Sequence, residues 1–127
     1  MLDLNYLIAV AFTPRKYIDE WKGMADGSGG SITLESIRRA NFIPEIIKAR
    51  CSIVGAWGAA SKDKLYHLRA LDWDVEAPMS KYPAITIYEF EEPGSTTVAN
   101  VGYAGLQGIL TGISKRGVSV GEKVWYD

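Results

Sequence analysis

Apolar positions follow a helical spacing through the first third of the chain and a two-residue spacing afterwards. In "MLDLNYLIAVAF", Leu4, Leu7, Ile8 and Phe12 fall on one helical face. Thr13 and Pro14 then read as an N-cap followed by proline at the first helical position, which restarts a helix. Tyr17, Ile18, Trp21 and Met24 form the apolar stripe of that second helix. The glycines of "ADGSGG" stop it, because they favour turn conformations over continuing helix. Thr33 is placed to cap a third helix, with Glu35 in its first turn. Pro44 and Glu45 open one last short turn through "PEIIKAR".

From Cys51 the period changes to that of strands. "CSIVGAWGAA" and "KLYHLRALDW" are apolar-rich segments joined by the polar turn "SKDK". "PAITIYEF" and "STTVANVGY" make a second pair around "EEPG", where proline and glycine mark the turn. "GLQGILTGIS" is punctuated by glycine, and "GVSVGEKVWY" alternates as a last strand. Helices followed by an antiparallel meander predict an α+β fold, with a helical segment over 1–50 and a sheet region over 51–127. Together these form one partial domain, and its seam is Cys51.

The chain has 127 residues, enough for one modest domain with a core. Fourteen basic and fifteen acidic residues give a net charge of −1, so no basic field is present to attract nucleic acid or an anionic membrane. A single cysteine cannot form an internal disulfide, which leaves the redox compartment open. The longest apolar stretch, "YLIAVAF", is far shorter than the ~20 residues a membrane-spanning helix needs. It also lacks the basic leader and small-residue cleavage site of a signal peptide. The chain opens directly in apparent helix, so its natural beginning is expected upstream.

The candidate chemistry centres on Cys51. Taken alone it is either a small buried hydrophobe or a nucleophilic thiol, which requires a neighbouring base or cation. His67 is the only histidine, and strand alternation places it with Arg69 and Leu71, on the face opposite Tyr66, Leu68, Ala70 and Asp72. One cysteine and one histidine make no recognisable zinc set, so no metal is implied. Arg69 and Asp72 bring charge into an otherwise apolar strand, as a sheet-edge salt bridge or as functional groups. Asn100 and Glu122 read as solvated polar residues of late strands. Gly105 and Gly108 follow no βαβ pattern and make no phosphate loop. Trp57, Trp73 and Tyr103 suit either a core or a pocket wall.

Three blocks in order, "ARCSIVGAWG", "LYHLRALDWD" and "VGYAGLQGILTGISKRGVSV", resemble the N-terminal-nucleophile cysteine hydrolases of the acid ceramidase and N-acylethanolamine amidase kind. Choloylglycine hydrolases and penicillin acyltransferase are more distant relatives of that group. The nearest likeness is to the ceramidase-like, phospholipase B-like proteins of protists. "WKGMADGSG" and "RRANFIPEIIKA" also resemble the short α-subunit segment of those proteins. The resemblance implies autocleavage between Arg50 and Cys51, which frees the α-amino group of Cys51 to act as base to its own thiol. Such an amine has a pKa of about 7.7–8.0 in model peptides. It further implies that Asp72 orients this amine, and that Arg69 keeps the thiol ionised and positions the scissile carbonyl. For both to approach Cys51, strand alternation must break at a bulge near Ala70.

Glu122 resembles the family's acidic position late in the sheet region, and joins Trp57, Trp73 and Tyr103 as the substrate-binding set. The chain departs from the family pattern at Gly121 and Ser114, where asparagine is usual. The implied fold is part of an αββα sandwich, incomplete here, since the family's oxyanion-hole asparagine falls beyond residue 127. The implied activity is hydrolysis of linear amides, with ceramide or an N-acylethanolamine as the small-molecule substrate and no cofactor. Two alternatives stand beside it, a catalytically inactive fragment or pseudoenzyme acting by binding or assembly, and a phospholipase B-like esterase. The resemblance also implies a lysosomal or secreted location, and a missing C-terminal half or a homo-oligomeric state would complete the fold.

Overall fold

The computed structural model of the protein describes residues 2–45, 50–72 and 76–123. It is an α+β structure in which N-terminal helices precede antiparallel sheets. Among the described residues the helices are α1 (Leu2–Ala9), α2 (Arg15–Gly27) and α3 (Leu34–Phe42). The strands are β1 (Arg50–Ala56), β2 (Tyr66–Asp72), β3 (Pro83–Tyr88), β4 (Val98–Tyr103), β5 (Thr111–Ser114) and β6 (Ser119–Gly121). The chain divides into two compact units. One is Met1–Lys48 with Gly105–Gly108, and the other is Ala49–Ala104 with Ile109–Asp127. No described helix is long and apolar enough to cross a membrane.

The helical unit is built on Trp21, Ile37 and Phe42, with Tyr6, Ala9, Ile18, Met24, Ala25 and Leu34 packed against them. The Tyr6 ring meets Phe42 edge-on at 5.8 Å, and Trp21 meets Phe42 at 6.0 Å, the offset geometry that ring quadrupoles favour. This packing turns α1 the other way from the apolar face read in its sequence. Leu4, Leu7, Ile8 and Phe12 are 60–84% exposed, and Tyr6 and Ala9 face the core instead. The cause lies in the partners that α1 finds on α3, one over the inward ring and one at the surface. Arg38 stacks over Tyr6 at 3.9 Å, and Arg39 forks onto Asp3 through Nε at 3.0 Å and Nη2 at 2.9 Å. A count of apolar residues cannot see these pairings.

The helix ends differ in how they are made. Thr33 caps α3 by accepting a hydrogen bond from the Ser36 amide at 3.1 Å. Thr13 does not cap α2, for its hydroxyl donates back to the Ala9 carbonyl at 3.0 Å and α2 begins at Arg15, after Pro14. Beyond α2 the chain reverses through Gly29 and Gly30 at φ 62° and 86°, a left-handed pair that residues with a Cβ rarely adopt. Asn41 at the end of α3 clasps the Gly105–Gly108 segment, donating to the Gly105 carbonyl and accepting from the Gln107 amide.

Asp3 provides a test of this packing. The bidentate hydrogen bond from Arg39 holds its carboxyl below the ordinary carboxylate value. A carboxylate depressed in the folded state stabilises the fold above its unfolded pKa, and that contribution is lost as pH falls through the lower, folded value. Thermal unfolding of the wild type should therefore drop in midpoint as pH falls below ~4. Asp3→Asn should lose that component of the slope and match its neutral-pH midpoint more closely in acid. Equal slopes in the two proteins would show that the Asp3–Arg39 fork is not held in solution.

The strand unit contains two sheets. β1 and β2 pair antiparallel from Arg50↔Asp72 to Ala56↔Tyr66 without a break. β3, β4, β5 and β6 follow one another as an antiparallel meander. The "SKDK" turn between β1 and β2 is irregular, with Lys62 and Asp63 at φ 54° and 56°. Asn100 in β4 is buried rather than solvated, at 2% exposure, and its side-chain oxygen accepts from the Leu110 amide at 2.9 Å. That bond satisfies the backbone where the chain turns into β5.

Candidate functional site

β2 is inverted relative to an ordinary amphipathic strand. Its apolar residues Tyr66 and Leu68 are 57% and 68% exposed, whereas His67, Arg69 and Leu71 turn to the half-buried face. A strand that turns its charged residue inward has to offset the desolvation with partners. The Arg69 side chain is only 4% exposed, and its partners are close. Nη2 donates to Cys51 Sγ at 3.2 Å and to Glu122 Oε2 at 2.8 Å, and Nε donates to the Glu122 carbonyl at 3.2 Å.

The register explains how Cys51 and Arg69 meet. Cys51 pairs with Leu71, and Arg69 pairs with Ile53, two residues along the same face of the ladder. Such diagonal neighbours lie within reach of a long side chain. No bulge is needed. The ladder runs unbroken past Ala70, so strict alternation brings Arg69 to the thiol and turns Asp72 to the opposite, exposed face. Asp72 stands directly across from Arg50, at the peptide bond that precedes Cys51. The two charges of "RALD" therefore do not pair with each other, and Arg69 takes Glu122, beyond the end of β6, as its counter-ion.

Cys51 itself is 7% exposed and has no disulfide partner. The guanidinium beside it is a rigid fork that serves sulfur and carboxylate together. Chemically, this arrangement can offset negative charge developing on sulfur as it attacks an electrophile. Glu122 is about two-fifths exposed and anchors Arg69 from the solvent side.

The remaining sequence candidates are placed as follows. Trp57 follows β1 and is 74% exposed, and its ring edge passes 3.4 Å from where a Cβ of Gly55 would stand. It thus lies along the strand edge that carries Cys51 and Ile53. Tyr103 ends β4 opposite Pro83, in the four-stranded sheet rather than beside Cys51. Trp73 lies outside the described residues. Ser114 closes the β5–β6 turn, accepting from the Val118 amide at 3.2 Å. A cleft of about 510 Å³ in the helical unit is lined by Ile8, Tyr17, Trp21 and Phe42 and contains none of the Cys51 cluster.

Two neighbours of the site escaped the sequence reading. Ser119 bonds His67, and Gly121 lies against the His67 ring. The alternation of "GVSVGE" puts both on one face, but no spacing along the chain says that β6 lies beside β2.

The chain matches no protein-family model and no solved structure. It is similar to Protein dcd1B of Dictyostelium discoideum, at 39% identity over 125 residues, covering 96% of this chain and 24% of that protein. It is also similar to Protein dcd1A of the same organism, at 38% identity over 133 residues, covering 98% of this chain and 30% of that protein. The chain thus spans about a quarter to a third of the length of these curated relatives.

Proposed function

We propose that Cys51 is the nucleophile of a cysteine hydrolase of the N-terminal-nucleophile kind, acting on the amide of an N-acyl lipid such as a ceramide or N-acylethanolamine. The observation that carries this reading is a single nitrogen, Arg69 Nη2, shared between Cys51 Sγ at 3.2 Å and Glu122 Oε2 at 2.8 Å. In the first step the sulfur attacks the Arg50 carbonyl carbon. The peptide bond to Cys51 breaks as its nitrogen gains a proton, leaving an Arg50 thioester. Water then hydrolyses that thioester, releasing the Arg50 carboxylate and the Cys51 thiol, and the α-amino group freed in the first step is left as the new N-terminus of the second piece. Asp72 is assigned to hold this new amine, a role supported by its pairing with Arg50 across the ladder.

In the hydrolytic cycle the α-amine takes the thiol proton as sulfur attacks the substrate carbonyl. The proton passes to the departing amine, and water cleaves the acyl thioester. Arg69 offsets charge on the sulfur, and Trp57 with Ile53 offers an apolar edge to an acyl chain. The αββα sandwich belongs to this reading as well. It is supported by the exposed apolar residues Ile85, Ile87 and Val101, which share one face of β3 and β4 and would be covered by a further layer in a longer protein.

The test is intact mass under denaturing conditions, before and after incubation at mildly acidic pH, with Cys51→Ala as control. Two species meeting at Arg50–Cys51 in the wild type alone are expected. The cleaved protein is then offered an N-acylethanolamine, a ceramide and a phospholipid ester. Amide turnover supports the reading, and turnover of the ester alone replaces it with an esterase. A single uncleaved species that forms no acyl thioester with any of the three defeats it.

A further inference from the structure

We infer that His67 is a positioning residue of this site: it pins β6 to β2 and thereby holds Glu122 against Arg69 and Cys51. The inference rests on the hydrolase reading for its purpose, but its geometry stands independently. Nδ1 of His67 shares a hydrogen bond with Ser119 Oγ in β6. The Ser119 hydroxyl also donates to the Gly112 carbonyl at 3.1 Å. A hydroxyl has one proton, so with that proton given to Gly112 the bond to His67 must be donated by Nδ1–H. The neutral imidazole is thereby held as the Nδ1–H tautomer, with its lone pair on Nε2.

The ring is seated as well as bonded. A Cβ on Gly121 would come within 3.0 Å of both Cε1 and Nε2 of His67 and 3.1 Å of Ile53 Cδ1. Contacts of this length are tighter than most that a real Cβ makes, so a side chain at position 121 would require the imidazole or Ile53 to shift by a few tenths of an ångström. The next residue is Glu122, whose carboxylate and carbonyl both hold Arg69. β2 and β6 are thus joined by two pins in phase. His67 reaches Ser119 and Gly121, and Arg69, two residues further along the same face of β2, reaches Glu122. The Glu122 amide completes the clamp by donating to the Leu110 carbonyl at 2.9 Å. Without the histidine pin, the described ties of Glu122 to β2 all run through Arg69, by the ion pair and by the Nε bond to its carbonyl.

The chain has one histidine, so its ring nitrogens can be assigned without ambiguity. Long-range proton–nitrogen correlation on the full chain, recorded under conditions where the ring is neutral, should show the proton on Nδ1 and none on Nε2. The second readout is solvent exchange of the Arg69 Nε–Hε proton, which the Glu122 carbonyl protects. His67→Leu and Ser119→Ala should each speed that exchange about tenfold, the scale on which local opening becomes easier when one hydrogen bond is lost. His67→Asn keeps a donor near the Nδ1 position and should stay within a few-fold of wild type. The Nε2–H tautomer, unchanged exchange in folded His67→Leu or Ser119→Ala, or equal acceleration in His67→Asn would each overturn the inference. If His67→Leu does not fold, Ser119→Ala decides alone. Self-cleavage is scored in the same samples, so a wild type that never cleaves counts against the hydrolase and leaves the positioning result to stand by itself.

Discussion

On the hydrolase reading proposed above, Arg69→Met should slow self-cleavage at Arg50–Cys51 by about 10²-fold or more, the loss typical when a preorganised donor to developing charge is removed. Methionine keeps most of the side-chain volume and removes every donor, so the effect reads charge and hydrogen bonding rather than a cavity. Arg69→Lys should retain part of the rate. Its ammonium is a point charge that can approach sulfur or the carboxylate, but it lacks the planar fork that reaches both while Nε holds the Glu122 carbonyl. Glu122→Gln should have the mildest effect, since the amide can still accept from Nη2 while the counter-charge is lost. The order Met, Lys, Gln from slowest to fastest is the expected result, timed by the appearance of the 51–127 fragment. Arg69→Met cleaving at the wild-type rate would remove the arginine from the chemistry.

Stability has to be separated from this. Arg69 is nearly inaccessible while Glu122 is 41% exposed, so removing the arginine leaves a carboxylate that water can still solvate. The full 3–5 kcal/mol for stranding a buried charge therefore does not apply, and about 1–2 kcal/mol is the reasonable scale. A thermal midpoint measured beside the cleavage rate distinguishes a folded, slow variant from a collapsed one.

The relation between sequence and structure follows from which interactions are local. Caps and strand periods depend on neighbours within a few residues, and Thr33, the β1–β2 alternation and the change of period near Cys51 were legible for that reason. The orientation of α1 was not. Tyr6 is turned inward under Arg38 and Asp3 is paired at the surface with Arg39, partners more than thirty positions away, and the apolar stripe of Leu4, Leu7 and Phe12 yields to them. Within the site, alternation separated Arg69 from Asp72, and a bulge at Ala70 was expected so that both could approach Cys51. The ladder keeps its register, and Asp72 stands across from Arg50 rather than beside the thiol. The partnerships of β2 with Ser119, Gly121 and Glu122 bridge about fifty residues, and no periodicity encodes them.

Trp21→Ala should cost about 3–5 kcal/mol, the usual range for truncating a buried large aromatic. Among the described residues of the helical unit Trp21, Ile37 and Phe42 form the buried core, so little else described there can hold α1, α2 and α3 together once the ring is gone. Against a typical domain stability of about 5–15 kcal/mol, such a loss is enough to melt a large share of this unit. Far-UV circular dichroism during urea titration is the measurement. Trp21→Phe separates packing from polarity, because the indole Nε1 is buried without a hydrogen-bond partner among the described residues. Removing an orphaned donor recovers about 1–3 kcal/mol, which should offset most of the ring area lost. A near-neutral Trp21→Phe beside a severe Trp21→Ala is therefore expected, with Leu7→Ala, 67% exposed, as a control that changes little. Equal losses in Trp21→Phe and Trp21→Ala would mean that the indole nitrogen finds a partner in solution. A large loss in Leu7→Ala would mean that α1 turns its leucine stripe inward after all.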